Sequence, residues 1–442
     1  MTRLALALLA ATASFPAASA DLVNALRDAL AHDAQYLAAR AQREASAERK
    51  PQALAGLLPT LTLSGNTVYN DTTVTKPFSG AAQYNSHAWT LQLTQPLFRW
   101  QNWLQYEQGE LQVVAADAQL AQARQDLMLR VAQAYFDLLY AQDVLASIQS
   151  QKTAAKEQLE LAERSFEVGT VTITDVHEAQ SRYDLASAQE IAALNDIEVK
   201  RYALSVITGK LTPGVRGLRP DAVPPRPQPD DMQSWVGSAE ANNLAVASQG
   251  AALEIARREV KRQQAGHLPT VDVVATHGEN NTLSVLGGRP ADIEQKNSTI
   301  GLQFSVPIFQ GLGQQSRVRE SAYLLDKAQS DLDAARRNAA QSARQAWLGV
   351  VSGMSQTSAL QAALRSSTSA LESNKLGYEV GVRINIDVLN AQQQLFATRR
   401  DLAKARYDTL LAQLRLKAAA GQLVDDDFVA LDSMLAMDGT LP

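Results

Sequence analysis

The stretch FEVGTVTITDVHEAQ, Phe166 to Gln180, is written again as YEVGVRINIDVLNAQ, Tyr378 to Gln392. Seven of fifteen positions are identical at an offset of 212. In each copy a glycine, Gly169 or Gly381, stands where a helix C-terminus favours a left-handed residue. An aspartate follows, Asp175 or Asp387, in the first turn of the next helical pattern, where a carboxylate suits the positive end of the helix dipole. Each copy therefore predicts the tip of a helical hairpin, and the chain has two.

Working outward, the repeat extends over the chain. GLLPTLTLSG (Gly56 to Gly65) matches GHLPTVDVVA (Gly266 to Ala275) at an offset of 210, and LQLTQPLF (Leu91 to Phe98) matches LQFSVPIF (Leu302 to Phe309) at 211. A period near 211 is too long for a solenoid unit and marks two copies of one substantial half. The expected organisation is a leader over 1–20, a first repeat over 21–218, a Pro-rich bridge over 219–231, a second repeat over 232–421 and a tail over 422–442. The leader MTRLALALLAATASFPAASA has a positive start, an apolar run and an Ala18-Ser19-Ala20 cleavage site, which predicts export. No later run reaches 18 apolar residues, so any membrane span must be β.

Each half orders its parts alike. A helical segment (about Leu22 to Lys50, and Ser234 to Ala265) precedes two alternating segments around a polar loop. Trp89, Leu91 and Leu93 oppose Thr90, Gln92 and Thr94, while Ile300, Leu302, Phe304 and Val306 oppose Gly301, Gln303 and Ser305. Such strands of roughly ten residues, apolar on one face, are what a membrane barrel needs. A soluble half-buried sheet shows the same alternation. The expected loops run from Asn70 to Asn85 and from Glu279 to Asn297.

No proline interrupts Arg99 to Phe166 or Gln310 to Tyr378, runs of 68 and 69 residues. At 1.5 Å per residue each helix would span roughly 100 Å. The return segments, Asp175 to Gly209 and Asp387 to Gly421, hold 35 residues each, so an N-terminal helix stacked on a return helix nearly matches one long helix. Each half then supplies two struts and one β-hairpin. Four strands per chain cannot close a barrel, and open edges are not viable in lipid. Several copies must share one barrel. Spacing permits eight struts, or twelve with a lumen of nearly 30 Å.

These features together resemble the TolC family of outer-membrane channels. The resemblance rests on the duplication, the leader, EVGTVTITDV and EVGVRINIDVL, the strand ends LTQPLF and FSVPIFQGL, and the closing ARYDTLLAQLRLKAAAG (Ala405 to Gly421). It implies an α+β fold: a homotrimer whose twelve-stranded outer-membrane β-barrel continues into a periplasmic twelve-helix α-barrel. The bridge and tail would wrap its equator. It implies a channel-tunnel of a tripartite system, working with a periplasmic adaptor and an inner-membrane pump of ABC or RND type, for type I protein secretion or drug efflux. The absence of a lipobox cysteine leans toward the unanchored secretion-and-efflux type.

Matched motif to motif, the resemblance implies that Asp387 forms a carboxylate ring at the periplasmic entrance, and that Asp175, Tyr378 and Arg383 latch it. Asn390 stands where the family has a second ring acid, so weaker cation selectivity is expected. Arg383 has Val171 as its counterpart, so charge is asymmetric between the tips. Trp89, Leu91, Leu93, Ile300, Leu302 and Phe304 are expected to face lipid. Phe98, Trp100 and Trp103, just past a strand end, suit an interfacial aromatic belt or packing at a strand–helix junction.

Other chemistry is sparse. Net charge is −5 with no cysteine, so no broad basic surface calls for nucleic acid. The five histidines, at 32, 87, 177, 267 and 277, lie in different segments and make no zinc-helix motif. No nucleophile–base pair or phosphate loop stands out, so neither an enzyme nor a cofactor is expected. An exported trimeric coiled-coil protein is the competing class, but it needs sustained apolar heptads, and these helices are rich in Ala, Gln and Ser.

Overall fold

The computed structural model describes residues 21–75, 79–219, 222, 224–286 and 289–435. The expected leader, parts of the bridge (Pro220, Asp221 and Val223) and the last seven residues of the tail lie outside the described residues. The elements, in chain order, are α1 (Leu22–His32), α2 (Ala34–Ala47), α3 (Arg49–Ala55), β1 (Thr60–Val74), β2 (Gly80–Phe98), α4 (Trp100–Glu167) and α5 (Ile173–Thr208). The second half repeats the pattern with α6 (Met232–Asn242), α7 (Leu244–Gln264), β3 (Thr270–Leu286), β4 (Arg289–Ser305), α8 (Gly313–Glu379) and α9 (Asn385–Ala419), followed by α10 (Asp425–Asp432).

The chain forms two compact units, and each interleaves both halves of the sequence repeat. One unit, Ala41–Gln119 with Ala245–Ala335, holds the sheet. Its four strands are antiparallel in the order β1-β2-β3-β4. Register pairs Leu61 with Leu93, Leu93 with Ala275, and Ala275 with Ile300. Because side chains alternate along each strand, this row and its neighbours put Leu63, Trp89, Leu91, Leu302 and Phe304 on the same face. The opposite face carries Thr62, Gln92, Thr276 and Thr299, and the two threonine hydroxyls Thr276 and Thr299 bond at 2.6 Å.

The strands are 15, 19, 17 and 17 residues long, well beyond the ten expected. The expected loops are mostly strand. Tyr69 pairs with Asn85 and Glu279 with Lys296 inside the ladder. Backbone bonding to a neighbouring strand needs no apolar face, so polar, Thr- and Asn-rich stretches continue as strand past the point where alternation fades. Asp272, 4% exposed, accepts a two-bond fork from Arg99 at 2.8 and 2.7 Å, fastening β3 to the start of α4. Nearby, Gln108 donates to Glu259, whose carboxyl Arg262 holds down at about 2.

The other unit comprises Met1–Arg40, Leu120–Leu244 and Arg336–Pro442. Its core gathers Leu22 and Ala29 of α1, Val131, Tyr135 and Phe136 of α4, Leu204 of α5, Leu410 and Leu414 of α9, and Phe428 of α10. Tyr407 stacks on Phe136, and its hydroxyl donates to Asp143. The tail, expected as equatorial or disordered, is ordered over α10: Phe428 is fully buried, Asp432 accepts from the Leu22 amide, and Leu435 bridges to Leu218.

Each expected N-terminal helix is broken. Asp33 leaves α1 in an extended conformation, its side chain caps α2 at the Tyr36 amide, and both its oxygens accept from Arg130 at 2.9 Å. Asn243, its counterpart at an offset of 210, likewise breaks α6 from α7 and donates to the Ala419 carbonyl. A tertiary partner rewards the side chain for leaving the helix, which intrinsic propensity does not register. A third break precedes α3, at Glu48.

Candidate functional site

The two hairpin tips lie in the helical unit, and they close differently. In the first, Gly169 has φ +75°, its amide bonds back to Phe166, and the Thr170 amide bonds to Ser165. Thr172 then caps α5 in a reciprocal box: its hydroxyl accepts from the Asp175 amide, while Asp175 accepts from the Thr172 amide at 2.9 Å and its hydroxyl at 2.7 Å. Asp175 is thus engaged within its own turn.

In the second tip Gly381 has φ +78° and the amides of Val382 and Arg383 both bond to the Gly377 carbonyl. The capping position is Ile384, which offers no side-chain acceptor. Asp387 therefore has no hydroxyl partner like Thr172, and it pairs with Arg383 at 3.6 Å. Arg383 packs over Gly377, where an added Cβ would lie 2.7 Å from its Cγ. Among the described residues no hydrogen bond or ion pair joins Arg383 to Asp175, the contact expected of a latch. Within one chain the arginine is satisfied by its own tip.

Tyr378 is half-buried, and that burial pushes its hydroxyl up. The nearby Asp175 carboxylate adds to the effect and a bond to Ser165 opposes it. Tyr378 of the second hairpin and Asp175 of the first are therefore neighbours within the chain.

Two links that sequence reading missed join the tips. Asn385, 1% exposed, accepts from Gln158 of α4 and donates to the Asp175 carbonyl at 3.4 Å. Arg182 of α5 donates to Gln393 at 2.6 Å and to Asn390 at 3.2 Å, both on α9. Asn390, expected on an entrance ring, is exposed and carries this bond. A signal for Asn385 was present: its counterpart in the first copy is Ile173, and a polar residue replacing an apolar one between copies marks a place where the tips differ in contacts.

On the sheet, Trp89, Leu93, Ile300, Leu302 and Phe304 are exposed and Leu91 is half-buried. All six share the apolar face. Phe98, Trp100 and Trp103 are exposed beside it in sequence, with the Trp103 indole donating to Glu107. An exposed apolar sheet face with unpaired edges at β1 and β4 is stable in water only when covered.

A family model described as outer membrane efflux protein matches residues 25–210 and 235–422, falling in two segments as the duplication does. The chain belongs to the outer membrane efflux protein family. Among its relatives, the outer membrane protein TolC of Escherichia coli (strain K12) is 33% identical over 90% of this chain and 81% of its own length. The alkaline protease secretion protein AprF of Pseudomonas aeruginosa is 31% identical over 92% of this chain and 85% of its own. The crystal structure of the outer membrane protein VceC from Vibrio cholerae superposes with a TM-score of 0.77, covering 90% of this chain and 96% of that one at 18% identity, which establishes the shared fold. Among the described residues no helix is long and apolar enough to cross a membrane.

Proposed function

We propose that this chain is the outer-membrane channel of a tripartite export system, and that three copies build it. The observation that carries this reading is a four-stranded antiparallel sheet with one apolar exposed face and two unpaired edges, β1 and β4. Hydrocarbon tolerates no unpaired edge, so β4 of one copy must meet β1 of the next until the sheet closes. Three copies give twelve strands, enough to leave a water-filled lumen. The helices of the three copies then ring a periplasmic tunnel. Substrate passes without covalent chemistry.

In this reading Asp387 and Asn390 face the narrow entrance, and Arg383, Tyr378 and Asp175 hold it closed. Gly169 and Gly381 form the turns that carry them. The adaptor and an inner-membrane pump, of ABC or RND type, act on that end. Phe98, Trp100 and Trp103 sit at the periplasmic lipid interface. Whole-length likeness to a protease secretion protein above 30% identity favours type I secretion over a dedicated drug-efflux role. Native mass spectrometry of detergent-extracted protein, with planar-bilayer recording, tests the proposal. A trimer that conducts is expected, and a non-conducting monomer or dimer refutes it.

A further inference from the structure

A groove in the helical unit, between α4, α5 and α9, carries positive charge that no carboxylate answers. Its cavity volume is about 50 Å³, partly open to solvent. Arg182 of α5 and Arg400 of α9 line it, with Gln151, Gln189, Gln392 and Gln393. Both arginines are half-buried. Among the described residues Arg182 is bonded only to the neutral amide oxygens of Gln393 and Asn390. Arg400 has no hydrogen bond or ion pair among the described residues. No Asp or Glu lines the groove. Other cations of this unit do meet carboxylates: Arg130 meets Asp33, Lys152 meets Glu190, and Lys417 meets Asp427. One further polar atom is unused, since Gln189 Oε1 is buried without a partner. A half-turn of that amide would present its NH2 group to the groove.

Two guanidinium groups lining one groove repel each other, and partial burial weakens solvent screening. An anion between them removes that cost. Guanidinium forks match the oxygen spacing of a carboxylate or phosphate, and neutral amides supply the remaining donors. We propose that this groove binds a small free oxyanion, with Arg182 and Arg400 as its charged ligands. Because Arg182 stands on α5 and Arg400 on α9, an anion held by both ties the return helix of the first repeat to that of the second, a short distance in sequence above both tips. The lining is mostly amide and guanidinium, with Ala155, Leu185 and Leu389 as its apolar part, and its small volume suits phosphate, sulfate or a small dicarboxylate.

The test is titration calorimetry on the full chain in detergent, at constant ionic strength, with inorganic phosphate in one arm and succinate in the other. One saturable site per chain is expected in at least one arm, and the arm that binds identifies the oxyanion as inorganic or carboxylic. Arg182→Gln and Arg400→Gln are each expected to weaken binding about tenfold or more. Gln393→Glu, which gives Arg182 a carboxylate partner and removes no packing, is expected to weaken binding similarly. That variant keeps the test open if an arginine variant fails to fold. No saturable heat in either arm overturns the proposal, as it would if a side chain of a neighbouring copy already filled the groove. Undiminished binding in the folded double arginine variant, or in Gln393→Glu, also overturns it.

Discussion

The entrance can be tested by asking which carboxylate Arg383 answers to. The structure pairs it with Asp387 at 3.6 Å, with side chains 59% and 35% exposed. Two unit charges at that separation attract by about 1 kcal/mol in water, and exposed pairs deliver roughly 0–1 kcal/mol after side-chain ordering. In a trimer three such pairs bias the closed tip by at most about 3 kcal/mol, or roughly a hundredfold in the open–closed ratio. Arg383→Ser, Asp387→Ala and Asp175→Ala, singly and in pairs, form two double-mutant cycles read by single-channel conductance and open probability. Arg383→Ser is expected to raise open probability. If the in-chain pair is the operating one, Arg383→Ser with Asp387→Ala does little more than either alone. Asp175→Ala acts by a separate route: it unmakes the Thr172 box at a cost of about 1 kcal/mol and removes the charge beside Tyr378. Its effect then adds to that of Arg383→Ser. The reverse pattern, with Arg383 and Asp175 coupled and Arg383 and Asp387 additive, would refute the in-chain pairing and favour a latch between hairpins. No change in either single arginine or aspartate variant would place the closing contact outside this cluster.

Further outcomes are expected elsewhere. Trivalent hexammine cations on the periplasmic side should block the channel, and Asp387→Ala should relieve the block; equal block in both would leave Asp387 a helix-end stabiliser only. Asp33→Ala should cost about 2–4 kcal/mol in denaturant unfolding, since it strands Arg130 and uncaps α2. The Arg130 fork holds the Asp33 carboxyl below its ordinary value. Its contribution is therefore full above the unfolded value near 4 and fades as pH falls through the folded one, so the gap between wild type and variant should shrink in acid. Asp143 has the opposite sign: burial raises its carboxyl, with the Tyr407 bond opposing. Its stabilising contribution is present below the unfolded value and lost as pH rises through the folded one, so Asp143→Asn should be the more stable protein at pH 7 in denaturant unfolding, with the advantage vanishing in acid. Gly381→Ala should destabilise the second tip by about 1 kcal/mol, because its φ of +78° strains any residue with a Cβ; local hydrogen exchange at Val382 and Arg383 reads it.

The amino-acid sequence by itself determined the parts and their order. The repeated tip, the proline-free runs and the two alternating segments per half are local signals, and local backbone geometry answers to them. The long helices begin and end within three residues of the runs that predicted them. The face shared by Trp89, Leu91, Leu93, Ile300, Leu302 and Phe304 was legible because strand alternation fixes a side chain's direction from its position alone. Tertiary structure decided what those signals leave open. Strand length was set by ladder bonds to the neighbouring strand, which carried β1 to β4 through polar stretches with no periodicity. The breaks at Asp33 and Asn243 were set by Arg130 and by the Ala419 carbonyl, partners nearly a hundred or more residues away. At the tips, two aspartates at matching positions of the repeat took different partners because one follows Thr172 at the capping position and the other Ile384. Asn385 and Arg182 acquired their roles only when the two hairpins came together, since a hydrogen bond between distant segments depends on where both ends lie in space.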